Sequence, residues 1–176
     1  MRMAQRTSSK FPGETRWRRT NMSRLLFAAA WLFDRRILAY VNQHGFPDLR
    51  MVHLHLPRNI DLAGTRLTDL AARAEISKQS MAEIVDACEA MGLVGKISYP
   101  NDRRAKLIAL TSRGHRLINI VHVAISAAEK ELRSQVGREA AQALTSTLID
   151  YVGDRVPTKA SHRRGARALP TTSRQR

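Results

Sequence analysis

A chain of 176 residues is long enough for one domain with a real core and too short for two large ones. Its single cysteine excludes an intramolecular disulfide, and 43% apolar with 5% aromatic residues fits a helical globular protein in a reducing cytoplasm. The net charge of +15 points to a polyanionic partner, but most of it sits at the ends.

Residues 1–24 hold seven Lys and Arg against Glu14 alone, and residues 155–176 hold seven against no acid. Residues 25–154 hold sixteen basic and fourteen acidic side chains. Both ends are rich in Arg, Ser, Thr and Gly without an apolar period, so 1–21 and 155–176 read as disordered basic tails around one domain at 22–154. Such tails either add non-specific attraction to phosphates or merely solubilise. The stretch RRTNMSRLLFAAAWLF (18–33) has the paired arginines and apolar run of an export signal. Its nine-residue run, Leu25–Phe33, ends in Asp34-Arg35-Arg36 with no small-residue cleavage site, and is too short to span a bilayer. It reads better as the start of a buried helix, with Met22 a candidate initiator and no membrane partner.

From Met22 to about Gly45 no proline or glycine interrupts the chain, and Leu26, Phe33, Ile37, Tyr40 and His44 recur as one helix face. A second short helix is predicted from Asp48 to Leu56, capped by Asp48 and stopped by Pro57. After Gly64, Thr65 is a candidate N-cap for a helix with Leu67, Leu70, Ala71 and Ala74 on one face. Ser77 then opens a helix over 78–92, with Met81, Ile84, Val85, Cys88 and Met91 as its apolar stripe and Gly92 at its end. Two amphipathic helices joined by a tight turn are a helix-turn-helix.

Two apolar runs, Leu93–Ile97 and Leu107–Leu110, follow and flank a polar centre holding Pro100, Asp102, Arg103 and Arg104, the pattern of a β-hairpin. A long helix resumes near Thr111 or Ser112 with Leu117, Ile120, Val121 and Ala124 on one face and runs to about Val136. A last helix spans Arg138 to Tyr151. The fold class is therefore mainly α with a small β-hairpin wing: a winged helix-turn-helix core at about 62–112, flanked by long helices at about 22–45 and 112–152 suited to dimerisation.

The segment LTDLAARAEISKQSMAEIVDACEAMGLVGKISYPNDRRAKLIALTSRGHRL resembles the MarR family of transcriptional regulators. Its most specific part is Gly92-Leu93-Val94, then Asp102-x-Arg104, then Leu110-Thr111 and Gly114. The likeness covers about residues 64 to 118. Glu75 stands where the family often has glycine, and Gly95 where it usually has a polar or charged residue. The resemblance implies a homodimer with interlocked terminal helices whose winged lobes grip a pseudo-palindromic operator.

On that reading the N-terminal residues of the second helix-turn-helix element lie nearest the bases. The apolar stripe must face the core, which leaves Ser77, Lys78, Gln79 and Ser80 outward or forward, with Glu83 a further candidate. Gln79 suits adenine edges, Lys78 guanine or phosphate, and Ser77 and Ser80 phosphates; Ser77 can cap the helix as well. In the wing, Arg104 carries the family role in the narrow minor groove and Asp102 pre-orients its guanidinium, while Arg103 reaches phosphate or groove and Lys106 supports them. The bland alternative is an exposed, solvated ion pair.

Cys88 lies on the apolar stripe beside Glu89 with no resolving cysteine, so core packing is expected over redox sensing. His53 and His55, and His115 and His122, are spaced for metal but lack grouped acids or cysteines, so no metal is assigned. The family expectation of a small-molecule effector places Trp31, Tyr40 and residues 51–57 near a pocket, although aromatics at helical spacing are more often core. No nucleophile–base pair, phosphate loop or carboxylate pair appears, which argues against an enzyme. The expected function is a sequence-specific double-stranded DNA-binding regulator, a ligand-responsive repressor; the alternative is a non-specific or architectural binder driven by its tails.

Overall fold

The structure, a computed structural model, describes residues 21–99 and 102–153, and for residues 98, 99 and 102–105 it describes the backbone alone. Apart from Asn21, the expected tails fall outside these residues. The elements run α1 (Met22–Gln43), a 3-10 turn (Met51–Leu54), α2 (His55–Asn59), β1 (Thr65–Arg66), α3 (Leu67–Arg73), α4 (Lys78–Ala90), β2 (Val94–Tyr99), β3 (Asp102–Leu110), α5 (Ser112–Val136) and α6 (Arg138–Val152).

Helix α1 begins where the Asn21 side chain accepts the Arg24 N–H at 2.9 Å, and ends at Gly45, whose φ of +102° a side chain would resist. Its C-terminal half buries Ile37 and Val41 against the core, and α1 packs along α5. The predicted face needs correcting at both ends. Leu26 is 37% exposed, and His44 is an exposed cap residue whose ring stacks on Tyr40 at 3.9 Å and whose Nδ1–H donates to the Tyr40 carbonyl.

The predicted helix from Asp48 to Leu56 is replaced by an extended entry, the 3-10 turn and then α2. Asp48 is exposed and caps nothing in it; Phe46 and Leu49 instead anchor the entry in the core. Pro57 lies inside α2, not beyond the helix end. It occupies the third helical position, where an N–H would have no intrahelical acceptor, so the proline costs no hydrogen bond.

Thr65 is likewise not the cap of α3, which starts at Leu67 after Arg66. Thr65 is buried in β1, its Oγ1 accepting the Asp61 N–H at 2.8 Å. Gly64, at φ +92°, lets the chain approach the Ile108 carbonyl closely enough for Thr65 and Arg66 to pair with Ile108 and Leu107. The hairpin is thereby the larger part of a three-stranded antiparallel sheet in the order β1-β3-β2. Arg73 braces α3, with an ion pair to Asp61 at 2.9 Å and a hydrogen bond donated to the Asn59 carbonyl at 2.7 Å.

One core joins α1, α2, α3, α4, the sheet and α5. Val41, Leu54, Leu56, Leu70, Met81, Val85, Cys88, Leu93 and Leu117 are its most fully buried side chains, the larger of them worth about 1.5–3 kcal/mol each in burial. Helix α5 buries Gly114, Leu117, Ala124 and Ala128 along one stripe, with Ile120 and Val121 packed beside it. No helix among the described residues is long and apolar enough to cross a membrane.

Candidate nucleic-acid interface

Helix α4 is oriented by its stripe. Met81, Ile84, Val85 and Cys88 are all buried, which turns Ser77, Lys78, Gln79 and Ser80 to solvent as one exposed N-terminal turn. Ser77 is the N-cap, its Oγ accepting the Ser80 N–H at 3.0 Å, and the two hydroxyls lie 2.9 Å apart. The cap and the contact surface expected from the sequence are thus the same residues. Lys78 and Gln79 extend from a turn already satisfied internally, so either could meet a base edge without unwinding the helix.

The turn that aims α4 is a Schellman closure. Ile76 N–H donates to the Ala71 carbonyl at 3.1 Å and Glu75 N–H to the Ala72 carbonyl at 3.2 Å. The same pair of bonds closes α4 itself, from Leu93 N–H to the Cys88 carbonyl and from Gly92 N–H to the Glu89 carbonyl. The second closure uses glycine at φ +70°, whereas the first forces Glu75 to φ +53°. The departure from glycine noted in the sequence leaves the turn geometry intact and loads it with strain.

The wing strands pair Val94 with Leu110 through Ser98 with Lys106, and an irregularity between Ser98 and Tyr99 sets Tyr99 opposite Asp102. Asp102, Arg103 and Arg104 open β3, but their side chains lie outside the described residues, as does the expected pairing of Asp102 with Arg104. Lys106 is exposed on the same strand.

Sequence reasoning missed two features here. Lys96, on β2, places its Nζ 2.9 Å from Asp86 Oδ1 and 2.8 Å from Glu89 Oε2, both on α4. Hydrogen bonds to Glu89 and then Asp86 hold its ammonium above the usual lysine range. The three-residue spacing of the two acids was visible, but which wing residue meets them depends on the strand register. The second feature explains the motif residues after β3. Thr111 Oγ1 accepts the Gly114 N–H at 3.1 Å and donates to the Gly92 carbonyl at 2.6 Å, and a Cβ on Gly114 would overlap the Leu93 carbonyl oxygen. The start of α5 is therefore clamped against the end of α4.

Cys88 is buried in the core, and desolvation pushes its thiol up to about 12, so it is protonated at neutral pH. His53 is buried, with Nδ1 accepting the Arg50 N–H at 3.1 Å; desolvation and then the Arg50 charge lower its pKa. His53 and His55 line a cavity of about 350 Å³ with Val52, Ile76, Ser80, Glu83 and Ile84, directly behind the exposed turn of α4. Tyr40 lines a different cavity of about 250 Å³ between α1 and α5, beside the Arg36–Glu131 ion pair of 2.7 Å. Trp31 is half exposed under the Arg35 guanidinium, 4.8 Å from the ring centroid, and lines neither of these cavities. His115 and His122 are exposed on α5. Among the described residues no group of three or more His, Cys, Asp or Glu side chains could hold a metal.

A helix-turn-helix with an exposed N-terminal turn on its second helix, braced by a three-stranded wing, is a winged helix-turn-helix. Its arrangement within long terminal helices is the fold of MarR-family regulators, the family that Gly92 to Gly114 resembles. MarR of E. coli in its apo form superposes with a TM-score of 0.63 at 18% identity, over 76% of this chain and 98% of that one. CouR of Rhodococcus jostii bound to p-coumaroyl-CoA superposes with a TM-score of 0.57 at 24% identity, over 76% and 93%. The repressor CouR bound to a 23-mer DNA duplex gives 0.59 at 23%, over 82% and 99%. In sequence, the homoprotocatechuate degradative operon repressor of E. coli is 34% identical over 84 residues, 48% of this chain and 57% of that protein. The chain thus matches little more than half the length of this curated relative. No protein-family model matches the chain.

Proposed function

We propose that the protein is a sequence-specific double-stranded DNA-binding transcriptional regulator, a repressor that grips a pseudo-palindromic operator as a homodimer. The observation that carries this reading is the exposed turn Ser77–Ser80, held rigid by a buried stripe and flanked by the wing. The turn would read the major groove, and Arg104 with Arg103 and Lys106 would follow the adjacent minor groove or its phosphates. A relative that is an operon repressor and a similar fold bound to a DNA duplex support it.

Homodimerisation is supported by apolar side chains on the terminal helices that stay exposed among the described residues. Phe27 is 65% exposed on α1, and Ile149 is 65% exposed on α6. The cavity behind α4 is the better effector site of the two, because a small molecule there would press on the DNA-reading turn. We assign the protein to the cytoplasm and give it no catalytic role. The second reading, non-specific binding through the tails, is favoured by the charge of residues 1–24 and 155–176.

Fluorescence anisotropy of the full chain, on the duplex from its own upstream intergenic region and on a scrambled duplex at two salt concentrations, tests both. A preference that survives higher salt is expected; steep, equal loss on both duplexes would replace this reading with the second. Arg104→Ala should weaken binding to the preferred duplex about tenfold with the dimer still folded, and unchanged affinity would remove the wing from the mechanism.

A further inference from the structure

Helix α4 is an odd element to bring near phosphates. Lys78 is its only basic residue, whereas Glu83, Asp86 and Glu89 follow at steps of three. Two of those carboxylates do not stand alone. Lys96 reaches across from β2 and sets one ammonium within 2.9 Å of both. Lys96 pairs in register with Ile108, a buried residue of the central strand β3, so the root of this side chain is fixed by the sheet. Its far end is fixed by the helix.

We propose that Lys96 is a positioning residue that ties the wing to the recognition helix, setting the distance between the two DNA-reading elements. This rests on the DNA-binding reading given above. An exposed ion pair contributes little to folding stability, but here one cation bridges two elements that must enter neighbouring grooves together. Its effect should therefore fall on selectivity more than on stability. A lysine whose ammonium is already held by two carboxylates is not available to a phosphate, and that separates this role from ordinary charge attraction.

The test compares the full chain with Lys96→Met, Lys96→Arg, the pair Asp86→Asn with Glu89→Gln, and all three positions neutralised. Two quantities are read: the affinity ratio between the upstream intergenic and scrambled duplexes, and hydrogen exchange of the amides in residues 94–110. Lys96→Met and the double carboxylate variant should each lower the ratio about tenfold, and combining them should lower it no further, as expected of one shared interaction. Wing exchange should rise in the same variants, and Lys96→Arg should keep both readouts near those of the parent. A phosphate-binding lysine would behave oppositely: freeing it by neutralising the acids would raise affinity for both duplexes and leave the ratio unchanged. An unchanged ratio with unchanged exchange in Lys96→Met overturns the proposal. Should the parent chain prefer no duplex, the regulator reading falls, and the exchange comparison alone decides whether Lys96 holds the wing.

Discussion

At the level of single residues, Glu75 is the most informative. The chain closes α3 and α4 with the same two backbone hydrogen bonds, one closure built on Gly92 and the other on Glu75 at φ +53°. A left-handed conformation costs a side-chain-bearing residue about 1–2 kcal/mol. Glycine there would remove that strain but would give back about 0.5–1 kcal/mol through the greater freedom of the unfolded chain. Glu75→Gly should therefore stabilise the protein by about 0.5–1 kcal/mol, seen as a higher urea midpoint at unchanged m value. A lower midpoint would mean that the glutamate side chain makes a compensating interaction. The exchange of glycine for glutamate was readable from the sequence; its energetic sign required the dihedral angle.

At the level of elements, legibility followed how local the cause was. The stripe of α4, its cap at Ser77 and the bounds of α5 depend on spacing within one segment, and the structure has Lys78–Ala90 and Ser112–Val136 in those places. Pro57 misled because a proline stops a helix only from its interior, and whether it stands at the first turn depends on where the helix starts. Thr65 misled because its partners, Ile108 across the sheet and the Asp61 N–H, lie outside the window that suggested a cap. Lys96 was unreadable for the same reason. The junction of wing and α5 is the opposite case, since Thr111 and Gly114 stood out in the motif before any neighbour was known. Gly114→Ala tests what the motif is for. An added methyl would collide with the Leu93 backbone carbonyl, which cannot move without shifting the end of α4. A loss of about 2–3 kcal/mol is expected, read as a fall in denaturation midpoint. A near-neutral result would show that α5 does not hold α4 in place.

For the whole molecule the question is how charge divides between selectivity and attraction. Residues 25–154 are nearly balanced, and residues 155–176 carry seven basic side chains and no acid. If base readout lies in α4 and the wing, removing residues 155–176 should subtract a term common to every duplex. Affinity for the upstream intergenic duplex and for its scrambled counterpart should then fall by the same factor, with their ratio unchanged. The slope of log affinity against log salt should become shallower by about 0.9 for each phosphate that the tail had neutralised. A selective loss on the upstream duplex would place sequence readout in the tail instead of in the folded lobe. An unchanged slope would mean that those seven charges never reach the DNA. The comparison needs both duplexes and at least two salt concentrations, because a lower affinity on one duplex alone is equally compatible with a shared electrostatic term and with readout by the tail.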